Sequence, residues 1–211
     1  MTDLTVINQT LQNKSPLEII EWALNPNDHQ HKKSIISTHF GPYEAVLLHL
    51  TSQVKPDIDV VWVDNGYATN DTYRVANKII DQLKLNIHIF VPQRTQAYLN
   101  VRYNGLPELD TPEHDEFTKI LKLEPFNRAL ATLKPTIWLT ALRKEQSALR
   151  QGLDIVNVAG NNLLKVAPLL EWTTQDMQDY IKKHNLPNEL NYFDPTKGLQ
   201  GRECGLHKVN F

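Results

Sequence analysis

The sequence predicts an α/β fold, a doubly wound and mainly parallel sheet with helices on both faces. Three observations carry this. Short apolar runs of strand length recur near residues 34–37, 59–63, 86–91 and 136–141. Segments of helical period separate them. The runs are close to continuously apolar, as in strands covered on both faces.

In chain order, residues 3–12 are weakly periodic and predict a short first helix. Ser15-Pro16-Leu17-Glu18 then offers an N-cap serine, a proline at the first helical position and a glutamate at the third, which is a capping box. Leu17, Ile20, Ala23 and Leu24 share one face of that helix, and Asn25-Pro26-Asn27-Asp28 stops it. After the first strand, Thr38 to Pro42 reads as a polar loop. A helix from about Tyr43 to Gln53 follows, with Val46, Leu47, Leu50 and Val54 inward. The second strand, Asp59 to Val63, ends in the turn Asp64-Asn65-Gly66-Tyr67. Asp71 to Leu83 carries Val75, Ala76, Ile79, Ile80 and Leu83 at helical spacing. Asn86 to Val91 is a third strand. Residues 92–115 read as a long polar connection, and loops of that length are usually functional. A helix is predicted over about Asp115 to Leu133, interrupted or restarted at Glu124-Pro125, and a fourth strand over Thr136 to Ala141. Asp154 to Val158 and Leu163 to Ala167 read as two strands joined by a turn at Gly160-Asn161. Thr173 and Asp176 cap a last helix. Lys182, Lys183 and His184 suit its C-terminal dipole, and Asn185 and Pro187 end it. Residues 188–211 have too few apolar side chains to pack as an element.

The 211 residues carry a net charge of -2 and 41% hydrophobic side chains, enough for one core and unlike a dedicated nucleic-acid or anionic-membrane binder. No apolar run approaches the ~18 residues of a membrane span. Met1-Thr2-Asp3-Leu4 is not followed by the pattern of a secretory signal. The single cysteine excludes an intrachain disulfide and any all-cysteine metal or iron–sulfur site within one chain, and suits a reducing compartment. The eight histidines are dispersed. His29 and His31 are close together, but no set has convincing metal-ligand spacing, so no metal is expected.

In such sheets ligands bind outside the carboxyl ends of the strands, at a switch in strand order. Three loops stand there. Ser37-Thr38-His39-Phe40-Gly41-Pro42 offers hydroxyls, backbone N–H groups and a helix N-terminus to one anion, with Gly41 allowing close approach. It is not a Walker A loop. The alternative is an ordinary strand-to-helix turn. In Asp64-Asn65-Gly66-Tyr67, Asp64 and exposed backbone could bond a ribose or base and Tyr67 could stack. A plain strand-ending turn is the alternative. Arg143-Lys144-Glu145-Gln146 with Arg150 places three cations near a strand's end, a ready phosphate or sulfate site, or else a solvated helix face. Near the end of the chain, Gly201-Arg202-Glu203-Cys204-Gly205-Leu206-His207 sets the one cysteine between glycines. Arg202, His207 and Lys208 favour a thiolate there and Glu203 opposes it, so the segment is either a reactive nucleophile or an incidental surface thiol.

Taken together, these motifs resemble the phosphoadenosine phosphosulfate (PAPS) reductases of sulfate assimilation, over about Lys33 to His207. The marks are Ser37-Thr38-His39-Phe40-Gly41, Asp64-Asn65-Gly66-Tyr67, Glu124-Pro125-Phe126-Asn127-Arg128-Ala129-Leu130, Trp138 to Ser147, and Arg202-Glu203-Cys204-Gly205-Leu206-His207. The last is the most specific.

The resemblance implies an adenine nucleotide alpha hydrolase-like fold. Residues 1–187 would form the nucleotide-binding α/β domain and residues 188–211 a mobile C-terminal tail carrying the catalytic cysteine. It implies that Cys204, aided by Arg202 and His207, takes the sulfonate from PAPS and that reduced thioredoxin or glutaredoxin releases sulfite. Ser37, Thr38, His39, Phe40, Gly41, Asp64, Gly66, Tyr67, Arg143, Lys144, Gln146 and Arg150 would bind substrate. A cytoplasmic homodimer with no bound cofactor is expected, binding neither nucleic acid nor membrane.

The chain departs from the family pattern at several points. His39 stands where serine is expected, Asn65 replaces a threonine and Ala141 a glycine. The stretch from Leu186 to Arg202 is short and lacks a Ser-x-Gly-Asp/Cys loop. The related adenosine phosphosulfate (APS) reductases use further cysteines for a [4Fe–4S] cluster, which one cysteine cannot hold that way. A cluster-free enzyme preferring APS, an ATP-dependent adenylating enzyme and a non-catalytic nucleotide binder are the alternatives. The missing Ser-Gly-Gly-x-Asp-Ser loop argues against the second.

Overall fold

A six-stranded sheet of order β3-β2-β1-β4-β6-β5 organises the computed structural model, which describes residues 4–25 and 33–197. In chain order the elements are α1 (Leu4–Leu11), α2 (Pro16–Leu24), β1 (Ser34–Thr38), α3 (Glu44–Val54), β2 (Asp59–Val63), α4 (Asn70–Leu83), β3 (Asn86–Phe90), α5 (Gln96–Arg102), α6 (Pro112–Thr118), α7 (Glu124–Leu133), β4 (Ile137–Leu139), β5 (Val156–Val158), β6 (Leu164–Val166) and α8 (Thr174–His184). β1, β2, β3, β4 and β6 run parallel, and β5 pairs antiparallel with β6 at one edge.

Side-chain parity explains why the sheet is covered on both faces. Ile36, Val60, Trp62, Ile137 and Leu139 belong to one core, with residues of α2, α3, α4 and α8. The alternating residues Ile35, Val61 and Trp138 belong to another, with Phe126 and Ala129 of α7. The chain winds β1–α3–β2–α4–β3 outward, then crosses by α7 to β4 on the other side of β1. The β1/β4 junction is therefore the topological switch point.

Local chemistry sets the helix ends. The Ser15 hydroxyl accepts the Glu18 N–H while Glu18 accepts the Ser15 N–H at 2.8 Å, completing the expected capping box. Thr173 and Asp176 make the same exchange at α8.

The segment 92–115 departs from the expected long loop, because it contains α5 and the start of α6. Thr95 and Thr111 cap these helices, and Pro112 opens the second. With Tyr67, they bury Leu99, Phe117 and Leu121 as a third small core. Between α6 and α7 the α-helix is interrupted and restarts at Glu124, as expected. Lys119–Leu123 is a π-helical turn, and Pro125 falls within the first turn of α7, where its missing N–H is tolerated.

Where α3 packs on α8, the His49 Nδ1 lies 2.8 Å from the Tyr180 hydroxyl, and the His49 and His184 rings are 4.8 Å apart. Burial, then the neighbouring His184, hold the His49 ring below its ordinary pKa. The unfolded chain thus binds a proton at His49 more readily than the folded one. This contribution to stability is present above about pH 6.5 and is lost as the pH falls below it. The thermal midpoint is expected to drop between about pH 7 and pH 5.5, and His49→Gln to flatten that limb. An unchanged limb in His49→Gln, followed by circular dichroism, would contradict this.

Candidate active site

At the switch point, β1 runs into a loop whose backbone is strained. Phe40 and Tyr43 both take positive φ, 54° and 66°, though neither is glycine. Each costs on the order of 1–2 kcal/mol. Phe40 offsets this by burying its ring edge-on to Trp62, 4.9 Å between centroids, and full burial of a phenylalanine contributes roughly 1.5–3 kcal/mol. Tyr43, the N-cap of α3, donates its N–H to Asn188 Oδ1 at 2.8 Å and lies with its ring under the Arg143 guanidinium, 5.8 Å away.

The loop's donors converge, but on a carboxylate of the protein itself. Glu44, in the first turn of α3, accepts the Thr38 hydroxyl at 2.6 Å and the His39 N–H at 2.7 Å through Oε2. Its Oε1 lies 2.6 Å from His39 Nδ1. Burial pushes the Glu44 carboxyl up, but the His39 charge and the bonds from His39 and Thr38 outweigh it and hold it below the usual range. Thr38 Oγ1 also accepts the Phe40 N–H at 3.1 Å, and Ser37 Oγ accepts the Trp138 indole N–H at 2.8 Å. Gly41 is needed for close approach, since a Cβ there would meet His39 Nε2 at 2.6 Å.

After β2, Asp64 Oδ1 accepts the Gly66 N–H at 3.0 Å and the Tyr73 hydroxyl at 2.6 Å. This pushes the Tyr73 phenol upward, by burial first and then by Asp64. Gly66 occupies φ 79°, a conformation glycine adopts without strain. Tyr67 is 9% exposed. Its hydroxyl donates to Asn100 at 2.7 Å and its ring meets the edge of Phe117, so it is committed to the third core.

After β4, Arg143 and Arg150 are 5% and 6% exposed. Gln146 Oε1 ties them together, accepting the Arg143 N–H at 3.1 Å and an Arg150 N–H. Arg143 also donates to Glu145, the Trp172 carbonyl and Thr174 Oγ1. Burial pulls the Arg143 guanidinium below its usual value, Glu145 works the other way, and Arg150 adds to the lowering. Two buried like charges in one network suit an anion. Lys144 does not join them, since its ammonium reaches Glu171 at 2.5 Å.

The segment 188–197 returns over the β1 loop without helix or strand. Tyr192 packs on the His39 ring, 4.6 Å between centroids, and Asn191 accepts a bond from Thr69 through its carbonyl. Asp194 is buried against the Lys122 ammonium of the π turn, and its other oxygen accepts the Thr196 N–H and hydroxyl. Sequence reading missed Glu44, Lys122, Tyr192 and Asp194. The positions of Glu44, in the first turn of a helix, and of Lys122, just before Glu124-Pro125, carry no local pattern that marks these pairings. Arg202, Cys204 and His207 lie outside the described residues, as do His29 and His31. Among the described residues no group of three metal-ligating side chains is assembled, and no helix is long and apolar enough to cross a membrane.

Comparison with known proteins gives a consistent picture. The profile of the phosphoadenosine phosphosulfate reductase domain matches residues 33–193. A phosphoadenosine 5′-phosphosulfate reductase of Synechococcus is 36% identical over 188 residues, 89% of this chain and 79% of that one. One from Xanthomonas oryzae is 35% identical over 99% of this chain and 94% of its own. Among solved structures, the PAPS reductase of Candida auris in a phosphate complex aligns with a TM-score of 0.74 at 24% identity, covering 87% of this chain and 86% of that one.

Proposed function

The chain belongs to the PAPS reductase domain family, with the adenine nucleotide alpha hydrolase-like fold, and from that premise we propose that it reduces PAPS to sulfite and adenosine 3′,5′-bisphosphate in sulfate assimilation. The supporting observation is the convergence at the β1/β4 switch point of the loop 37–44 and the buried Arg143–Gln146–Arg150 network. In this reading the Cys204 thiolate attacks the sulfonate sulfur, an S–S bond forms and the S–O bond to the nucleotide breaks. Adenosine 3′,5′-bisphosphate leaves with the electron pair. A thiol of reduced thioredoxin or glutaredoxin then attacks Cys204 Sγ and sulfite departs. The second thiol of that dithiol resolves the mixed disulfide. Cations at the site lower the repulsion between a thiolate and the anionic sulfonate oxygens. Arg202 and His207, outside the described residues, would serve this beside Cys204. A homodimer in the cytoplasm without a resident cofactor completes the proposal.

The 3′-phosphate is assigned to cations drawn from Arg143, Lys144, Arg150 and Lys197, of which Lys144 would exchange its Glu171 partner for the phosphate. Losing one charge-assisted contact should cost on the order of 1.5–3 kcal/mol in binding, more for PAPS than for APS. The burial of Arg143 and Arg150 makes them the stronger members of the set. Equal weakening of both nucleotides by alanine at each of the four positions, measured by calorimetry, would remove the assignment. The shortened stretch before Arg202 favours a second reading, a cluster-free enzyme preferring APS. Sulfite release from PAPS and from APS with reduced thioredoxin, run side by side, decides. The proposal expects PAPS to be used faster, and no sulfite from either would overturn both readings.

A further inference from the structure

His39 is held from three sides. Its Nδ1 faces Glu44 Oε1 at 2.6 Å, its Nε2 edge lies over Gly41 where any Cβ would collide, and Tyr192 covers the ring. The ring is nonetheless 41% exposed, whereas the Glu44 side chain is 12% exposed. An ionised carboxylate only accepts, so Nδ1 carries a proton. The tautomer is thereby fixed, and Nε2 is the nitrogen left for a ligand. In a neutral ring Nε2 would present a lone pair, which repels a phosphate oxygen. In an imidazolium it presents an N–H.

Resting on the reading that the 37–44 loop holds the nucleotide, we propose that nucleotide binding is proton-linked. His39 receives the phosphate group as an imidazolium, and Glu44 is the positioning residue that orients the ring and balances its charge. A serine at this position can donate a hydrogen bond without a change in charge. A histidine braced by a buried carboxylate makes the loop's affinity depend on pH. Among the described residues, the charged and titratable groups facing the ring are Glu44 from α3, and Asp194 and the Tyr192 phenol from the 188–197 segment; Lys122 pairs with Asp194 and neutralises it. Among the described residues Glu44 therefore supplies the uncompensated negative charge beside the ring. Binding an anion at Nε2 favours the protonated ring, so affinity strengthens as pH falls and weakens as pH rises.

The test is titration calorimetry with adenosine 3′,5′-bisphosphate at about pH 8, in buffers of different ionisation enthalpy, on wild-type protein, His39→Asn, His39→Ser and Glu44→Gln. The ligand's own protonation is common to all four. Wild type should take up more protons per nucleotide than either His39 variant, and its affinity should fall relative to theirs as the pH rises, by up to about tenfold per pH unit. Glu44→Gln should move that limb to lower pH, which a purely structural loss of affinity would not do. Equal proton uptake by wild type and both His39 variants, all binding nucleotide, overturns this inference and leaves the function standing. Absence of nucleotide binding by folded wild type overturns the function and this inference together.

Discussion

Cys204→Ser protein is expected to bind adenosine 3′,5′-bisphosphate nearly as wild type does and to lose sulfite formation by on the order of a thousandfold or more. The hydroxyl is close in size to the thiol, so binding has little reason to change. Its chemistry differs, because an alcohol is almost fully protonated near neutral pH, while even an ordinary thiol is a few per cent thiolate and intrinsically far more nucleophilic. The chain holds no second cysteine to resolve an adduct. Wild type mixed with PAPS and no reductant should therefore gain one sulfonate per subunit in its intact mass, and thioredoxin should remove it. A second subunit's Cys204 could resolve the adduct only if two tails met, whereas an external dithiol needs only an accessible tail. Substantial sulfite from Cys204→Ser would reject the mechanism. So would active wild type that never carries the adduct under conditions preserving the S–SO3 bond.

The parallel sheet was legible because its signals are local. The Asp59–Val63 strand matches its expected bounds, and Ser15 and Thr173 cap the helices their sequences announce. The 92–115 segment was not, for a physical reason. α5 has seven residues and buries only Leu99, so it shows no apolar period, and its stability comes from packing with Tyr67 and Phe117. Glu124-Pro125 was legible as the restart of a helix, because proline is favoured in a first helical turn; the π turn that joins it to α6 has no such local mark.

At the site, the loops were legible and their internal pairing was not. That Ser37 to Gly41 would stand at the carboxyl end of β1 follows from topology. That Glu44 would take the Thr38 and His39 donors depends on a side-chain geometry with no sequence signature. Likewise the cations after β4 were visible as a group, but their separation was not. The backbone turn sends Arg143 and Arg150 inward and Lys144 outward to Glu171. Asp194 pairs with a lysine 72 positions away, a contact that no local pattern encodes.

That contact gives the second large effect. Lys122 and Asp194 side chains are 8% and 4% exposed, and burial pushes Asp194 up while Lys122 and the Thr196 bond hold it below the usual carboxylate range. Lys122→Met leaves a buried carboxylate without its counter-charge, a loss of about 3–5 kcal/mol, or on the order of 10 °C in the thermal midpoint for a chain of this length. The sign with pH follows. Without Lys122, burial dominates and the Asp194 pKa rises, so the variant's deficit should be largest near neutral pH and shrink in acid, where Asp194 is uncharged. Lys122→Met with Asp194→Leu should recover much of the stability, since an apolar pair of similar volume replaces the ions. Recovery of function should be poorer. Asp194 fixes the segment that carries Tyr192 against His39, and Cys204 follows only ten residues later, a reach of at most ~36 Å. Untying that root should slow formation of the Cys204 adduct in a single turnover more than it weakens nucleotide binding. A Lys122→Met midpoint within about 1 °C of wild type at neutral pH would show that the pair is not the clamp its burial implies.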